Sequence, residues 1–354
     1  MKPATEIAKD LSIIIVSYNT KELTRSCIQS IYDSKPTSSF EIIVYDNASH
    51  DGSVEALADY FPEIKIMASD TNIGFAAANN IARSSATGKR LLLLNPDTKI
   101  ISDGIDTLFQ FASTHGKPGI FGGASYTLSN ELDYGSCWGK PSLWSLICKS
   151  LGLSIIGQNI QFLNPEALPN FHRDRVRDVA VVCGCFFMLD ADIWDQLNGF
   201  DDDYFMYSEE ADLCARAQIM GHDCVFVPEA KIMHIGSASE SNKSHKTTKL
   251  LNGKSLYYQK HWSGVERLCA GLLTDIFVLS RTCGFNLAAT VFKRYSDQAT
   301  HWSTVWASRK KWHIKYTVLG RTVTCKVSKL LDEHRQLDTV TYYEIYDSSQ
   351  GKLP

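Results

Sequence analysis

Residues 11–60 read LSIIIVSYNTKELTRSCIQSIYDSKPTSSFEIIVYDNASHDGSVEALADY, and the changes of period in this stretch decide the fold. Leu11 to Val16 is an apolar burst, Lys21 to Tyr32 carries apolar residues at helical spacing, Phe40 to Tyr45 is a second burst, and Ser53 to Tyr60 is again helical. Strand, helix, strand and helix in this order predict an α/β domain around a mainly parallel sheet. The pattern continues outward with a short strand at Ile64 to Ala68, a helix at Ala76 to Ser84 and the run Arg90 to Leu94. Farther along, Val179 to Leu189 reads as a strongly apolar strand, Glu209 to Met220 as a helix stopped by Gly221, and Cys224 to Val227 as a strand. Between them, residues 125–178 lose the pattern and read as an irregular insertion with one short apolar helix, Leu143 to Ile156, suited to acceptor recognition. Residues 1–240 are therefore expected to form one α/β domain, and 241–354 a C-terminal helical region after a polar linker.

Composition narrows the function classes. A formal net charge of -3 offers no general attraction to nucleic acid, which is not expected as a partner. The ten cysteines are scattered and often lie in apolar runs, as Cys183 and Cys185 do, which predicts reduced core residues rather than disulfides or zinc ligands. The first residues lack the features of a secretory signal, and no run of about 18 uncharged apolar residues predicts a spanning helix. A cytoplasmic protein is expected.

In a parallel sheet, ligands bind at the carboxyl ends of the strands, so the polar residues that follow each burst are the candidates. They are Tyr18 and Asn19, then Asp46, Asn47, Ser49 and Asp51, then Asn95 and Asp97. In VYDNASHDGS the acid and amide suit the edge of a nucleotide base, or equally a turn and helix cap. In LLLLNPDT, Asp97 offers an oxygen ligand that Mg²⁺ could join to substrate phosphates, against the plainer reading of a turn aspartate. In TNIGFAAANN, Asn72 and Gly74 precede a helix whose start would attract phosphate, or simply pack close to the sheet. The densest acidic cluster, GFDDDYFMYSEEADLCAR, mixes acids with aromatic residues, and a carboxylate placed there can have a raised pKa suited to a general base. His234, in KIMHIGS, is either a structural histidine or a metal ligand beside Asp97.

Taken together, IIIVSYN, VYDNASHDGS, NIGFAAANN, LLLLNPDT and the segment from GCFFML through GFDDDYFMYSEEADLCAR to VPEAKIMHIGS resemble the inverting family-two glycosyltransferases, in particular their bacterial rhamnosyltransferase-like branch. The resemblance implies a GT-A-type nucleotide-sugar-binding domain. It also implies that Asp46 and its neighbours hold the nucleoside, with Tyr18, Asn19, Asn47, Ser49, Asp51, Asn72, Gly74, Asn95 and Asp97 as the donor-binding set. Asp97 and His234 would bind a divalent metal, Mg²⁺ or Mn²⁺. The base is sought in Glu209 and Glu210; the family pattern has Glu followed by Asp, and here the second acid is the longer Glu210. Asn95 stands where many relatives have Asp.

Glu210 is the expected base, on an interior stripe with Leu213, Ala217 and Met220, after a Ser208 cap; Asp212 is expected in a surface ion pair with Arg216. The expected partners are a nucleotide-diphosphate sugar, on resemblance dTDP-rhamnose, and a lipid-linked saccharide of a cell-surface polysaccharide. Two other readings stay open: a non-catalytic nucleotide-sugar-binding assembly protein, and a nucleotidyltransferase, for which no basic Gly-rich loop follows the first strand. Peripheral attachment to the inner face of the cell membrane is expected through RLCAGLLTDIFVLSRTCGFNLAATVF, interrupted by Asp275 and Arg281, with Trp302, Trp306 and Trp312 near Arg309, Lys310, Lys311, Lys315 and Arg321.

Overall fold

A computed structural model describes residues 8–236 and 242–313, together with the backbone of 342–343. The strands are β1 (Leu11–Ser17), β2 (Phe40–Asp46), β3 (Lys65–Ala68), β4 (Arg90–Leu94), β5 (Thr98–Ile100), β6 (Gly119–Tyr126), β7 (Cys137–Trp138), β8 (Arg177–Asp178), β9 (Val181–Val182), β10 (Phe186–Asp190), β11 (Asp223–His234) and β12 (Tyr342–Tyr343). The helices are α1 (Lys21–Ser34), α2 (Ser53–Tyr60), α3 (Phe75–Arg83), α4 (Gly104–Thr114), α5 (Leu143–Ser150), α6 (Leu153–Ile156), α7 (Ala191–Gln196), α8 (Glu209–Ile219), α9 (Lys243–His261), α10 (Gly264–Val291), α11 (Ser296–Ala307) and α12 (Arg309–Trp312).

The main sheet runs β12-β3-β2-β1-β4-β10-β6-β11-β5, with β8 joined to β11. Its first half is parallel from β3 to β4, whereas β10 is antiparallel to both β4 and β6, so the sheet is mixed. Leu11, Ile13 and Ile15 enter the core on one face, and Ile14 and Val16 the core on the other. Burial on both faces explains why β1 reads as a continuous apolar run instead of an alternating one. The chain steps from β1 to β2 and β3, then returns to place β4 on the opposite side of β1. That reversal opens a crevice beyond the ends of β1 and β4, where Tyr18 and residues 95–97 follow.

Several expected elements differ. The helix at 143–156 is two, α5 and α6, because Gly152 takes a φ of 74° between them. The strand at 179–189 is also two, β9 and β10, and residues 183–185 between them line the cleft. The short strand before His234 is the twelve-residue β11, irregular between Val227 and Lys231. β5, α4 and β6 went unforeseen. The nine cysteines among the described residues are free, and most are buried.

The C-terminal helices depart most from expectation. α10 is long and apolar enough, by length and composition, to cross a membrane, although Asp275 and Arg281 interrupt its apolar run. The charges that interrupt its sequence turn inward: Asp275 pairs with Arg309 and His313, and Arg281 lies 3.8 Å over the Phe277 ring and donates to the Phe277 and Lys149 carbonyls. Trp312 is not interfacial but buried, donating its indole N–H to the Val305 carbonyl, and Trp302 and Trp306 pack around the same core. Lys310 and Lys311 are exposed; Lys315 and Arg321 lie outside the described residues.

Candidate active site

A cleft of about 1210 Å³ opens at the carboxyl ends of β1 and β4. Tyr18, Asn47, Asn72, Gly74, Asn95, Asp97, Glu209, Glu210 and His234 all line it. The other four residues of the expected set stand behind that wall. Asn19 receives a hydrogen bond from the His50 N–H at 2.8 Å and donates its own N–H to Ser49 Oγ, so the pair ties the loops after β1 and β2 together. Asp51 accepts from the Lys21 and Ser53 amides and thereby anchors the starts of α1 and α2. Asp46 is buried, takes the Ser49 N–H at 2.8 Å on one oxygen and has no partner on the other. Burial pushes its pKa up, partly offset by Ser49.

Asn47 acts as a clamp. Its amide donates to Asn72 Oδ1 and the Gly74 carbonyl, and its Oδ1 accepts from the Ile73 N–H. Gly74 holds a φ of 91°, and a Cβ there would collide with Phe205. The Phe205 carbonyl also takes the Phe75 N–H at 2.7 Å. The first amide of α3, expected to attract phosphate, is thus already satisfied by protein.

Asn95, Asp97 and His234 meet because β11 pairs with β5, placing His234 opposite Thr98. His234 Nε2 lies 3.3 Å from Asp97 Oδ1. Burial would lower the imidazole pKa, but the hydrogen bond and charge of Asp97 outweigh it and leave the pKa raised. Asn95 Oδ1 is buried without a partner. Among the described residues no group of three or more His, Cys, Asp or Glu is placed to hold a metal alone. Two protein ligands with an unsatisfied amide oxygen nearby still suit a hard cation that takes its remaining oxygens from substrate phosphates and water.

Across the cleft, Tyr207 and Ser208 have φ of 70° and 72°, an uncommon conformation for two consecutive non-glycine residues, and they turn the chain into α8. Ser208 makes no side-chain cap, contrary to the expected capping. α9 presses on this turn at Gly253, where a Cβ would overlap the Tyr207 carbonyl oxygen. The face of α8 turned inward differs from the expected stripe: Glu209, Asp212, Leu213 and Ala217 are buried, whereas Met220 is 49% exposed. Glu209 is buried and Glu210 partly buried, and desolvation is the leading influence on both carboxylates.

One carboxylate oxygen of each glutamate is buried without a partner. Burial pushes both pKa values up, and the charge of Glu210 pushes Glu209 further. Both acids therefore hold a proton more tightly than an ordinary glutamate. Asp212, expected at the surface, is buried and held by Arg216 Nε and His261 Nε2, each at 2.7 Å. Burial opposes its ionisation, yet those partners keep its pKa low.

The sequence reading missed the third wall, supplied by Lys149 and Glu166 of the insertion and by Lys246, Lys249, Lys254, Tyr257 and Tyr258 of α9. Lys149 gave one signal, a lone charge inside the apolar run LICKS.

A mixed α/β sheet with a strand-end acid and histidine facing paired carboxylates across a cleft defines a GT-A-type transferase fold. Residues 12–194, just over half of the chain, match the sequence profile of Glycosyl transferase family 2, and the protein belongs to that family. It falls in the rhamnosyltransferase-like branch: the N-acetylglucosaminyl-diphospho-decaprenol L-rhamnosyltransferase of Mycobacterium tuberculosis is 26% identical over 238 residues, covering 62% of this chain and 70% of its own. YibD, a glycosyltransferase of Escherichia coli, is 30% identical over 105 residues, 29% of this chain and 30% of its own. A solved mannosyltransferase from Pyrobaculum calidifontis, in complex with GDP-Man and Mn²⁺, shares the fold with a TM-score of 0.52 and 15% identity, covering 86% of this chain and 87% of its own.

Proposed function

We propose that this glycosyltransferase moves a sugar, rhamnose from dTDP-rhamnose, to a lipid-linked saccharide with inversion at the anomeric carbon. The observation that carries the reading is the Glu209–Glu210 pair, each with one carboxylate oxygen left without a partner, which shares one cleft with Asp97 and His234. Similarity to the mycobacterial rhamnosyltransferase supports the donor and the lipid-linked acceptor.

In this reading Glu210 takes the proton from the acceptor hydroxyl as that oxygen attacks the anomeric carbon. Glu209, protonated, spares Glu210 a second negative charge beside it. Asp97 and His234 would hold Mg²⁺ or Mn²⁺, and the Mn²⁺ in the mannosyltransferase complex supports such a cation. When bound, the cation would offset negative charge on the departing nucleoside diphosphate. Asn47, through residues 72–74, keeps the nucleoside side of the cleft in shape.

The enzyme would work peripherally at the cytoplasmic face of the membrane. Val265, Leu268, Leu272, Ile276, Leu279, Cys283, Leu287 and Val291 are exposed on α10 at three- and four-residue steps, forming one apolar stripe about 39 Å long. Residues 264–313 carry seven Lys and Arg against three acids in a chain whose net charge is -3, which suits anionic headgroups.

Incubation with a panel of labelled nucleotide sugars, a lipid-linked acceptor and Mg²⁺ or Mn²⁺ tests the function. Sugar transfer with release of nucleoside diphosphate is expected. Release of pyrophosphate would indicate nucleotidyl transfer instead, and donor binding without turnover an assembly protein.

A further inference from the structure

The wall formed by α5 and α9 has a charge imbalance that sugar transfer as described leaves unused. The Lys149 ammonium contacts the Glu166 carboxylate directly, and the Lys254 ammonium lies 3.7 Å from the same oxygen. Glu166, 7% exposed, also accepts from Ser145 Oγ. One carboxylate therefore serves two ammonium groups, in a cleft wall where the lysine side chains are 27% and 42% exposed, and the next acid to feel Lys254 is Glu210 in the cleft itself. The proton affinities agree with this geometry. Burial and then the charge of Lys254 pull Lys149 down to about 8, while the two lysines, against burial, draw Glu166 down to about 2. A half-enclosed excess charge is costly until a counter-ion arrives.

The lysines' neighbours indicate which anion this is. Lys149, Lys254 and Glu210 line the same cleft, and the charge of Lys254 acts on the carboxylate that meets the acceptor hydroxyl. Just past Lys149, α5 runs directly into an apolar tip, with Leu151, Ile155 and Ile156 exposed by 60%, 68% and 84%. Ser150 and Lys149 hydrogen-bond to α10 at Leu273 and Arg281, which joins this tip to the helix bearing the apolar stripe. Resting on the sugar-transfer reading above, we infer that Lys149 and Lys254 bind a phosphate group of the acceptor, with its sugar toward Glu210 and its hydrocarbon toward the α6 tip. A donor diphosphate is the other source of the same chemistry.

The test measures the KM of acceptor and donor separately in Lys149→Gln, Lys254→Gln and Lys254→Arg, with a phosphate-linked lipid saccharide and with the same saccharide on a neutral lipid linker. The expected result is an acceptor KM raised by about 30-fold in the Gln variants, only for the phosphate-linked compound, with substantial recovery in Lys254→Arg. A rise in donor KM instead, or an equal response of both acceptors, would overturn the assignment. Because loss of Lys149 also strips a partner from Glu166, binding of the phosphate-linked lipid to the unaltered protein is measured in parallel, without donor. Inorganic pyrophosphate should compete with it, and failure to compete contradicts the site. This binding reports on the lysines even if no sugar is transferred, so it separates this inference from the proposed activity.

Discussion

Two carboxylate groups within a single turn of α8 are both buried, and their proton affinities are shifted in opposite directions. Asp212 is buried between Arg216 and His261 and its pKa is lowered; Glu209 is buried with an unpartnered oxygen and its pKa is raised. Burial alone raises both. The difference comes from partners: Arg216 lies one helical turn ahead of Asp212 and His261 is brought by α9, whereas the glutamates face the open cleft. A paired acid fastens α8 to α9. An unpaired acid, kept at a cost in stability, is available to accept a proton from a ligand.

Asp97 stands between these extremes, with a histidine on one oxygen and a cleft in front of it. Asp97→Ala should lower metal-dependent turnover by about 10³-fold, the scale of losing a major electrostatic contributor, while the far-ultraviolet circular dichroism spectrum stays unchanged. Near-normal rates at saturating Mg²⁺ and Mn²⁺ would break the link between an open carboxylate and catalysis.

Asp212→Asn should destabilise the protein by about 3 kcal/mol, since it leaves Arg216 without its counter-charge and takes a carboxylate oxygen from His261; denaturant unfolding at pH 7 reads this directly. Because its folded pKa is depressed, Asp212 contributes stability above the ordinary aspartate range, and that contribution disappears as pH falls through the folded value.

Glu209→Gln should have the smallest effect on folding and the opposite sign. With its folded pKa above its unfolded one, Glu209 loses the folded state stability as pH rises through that interval, so the glutamine variant should melt higher at neutral pH. A lower melting temperature would mean that Glu209 is paired after all.

Much of the first hundred residues was legible because strand and helix there are set by local period: α2 and β4 begin and end where the pattern places them. The strand-end rule likewise led to Asp97 and Asn47. Asn19, Ser49 and Asp51, picked out by the same rule, bond to a neighbouring loop, which spacing alone does not reveal. On α8 the helical stripe misplaced Asp212 and Glu209 because their burial is imposed by α9, whose Gly253 fits against the Tyr207 turn. The lysine wall was hidden for the same reason: Lys149 and Lys254 meet only after the insertion and α9 close on the cleft.

The most direct measurement is turnover and donor affinity in Glu210→Gln beside Glu209→Gln and Asp212→Asn, with pH profiles for those variants that turn over. Removing basicity from Glu210 at nearly constant size should lower turnover by about 10²- to 10⁴-fold and leave donor affinity almost intact. The unaltered enzyme should lose activity toward acid, as the pair takes up protons at a pH above the ordinary glutamate range. If Glu210→Gln turns over at the unaltered rate while Glu209→Gln or Asp212→Asn does not, Glu210 is not the base and the contrast between paired and unpaired acids does not identify it.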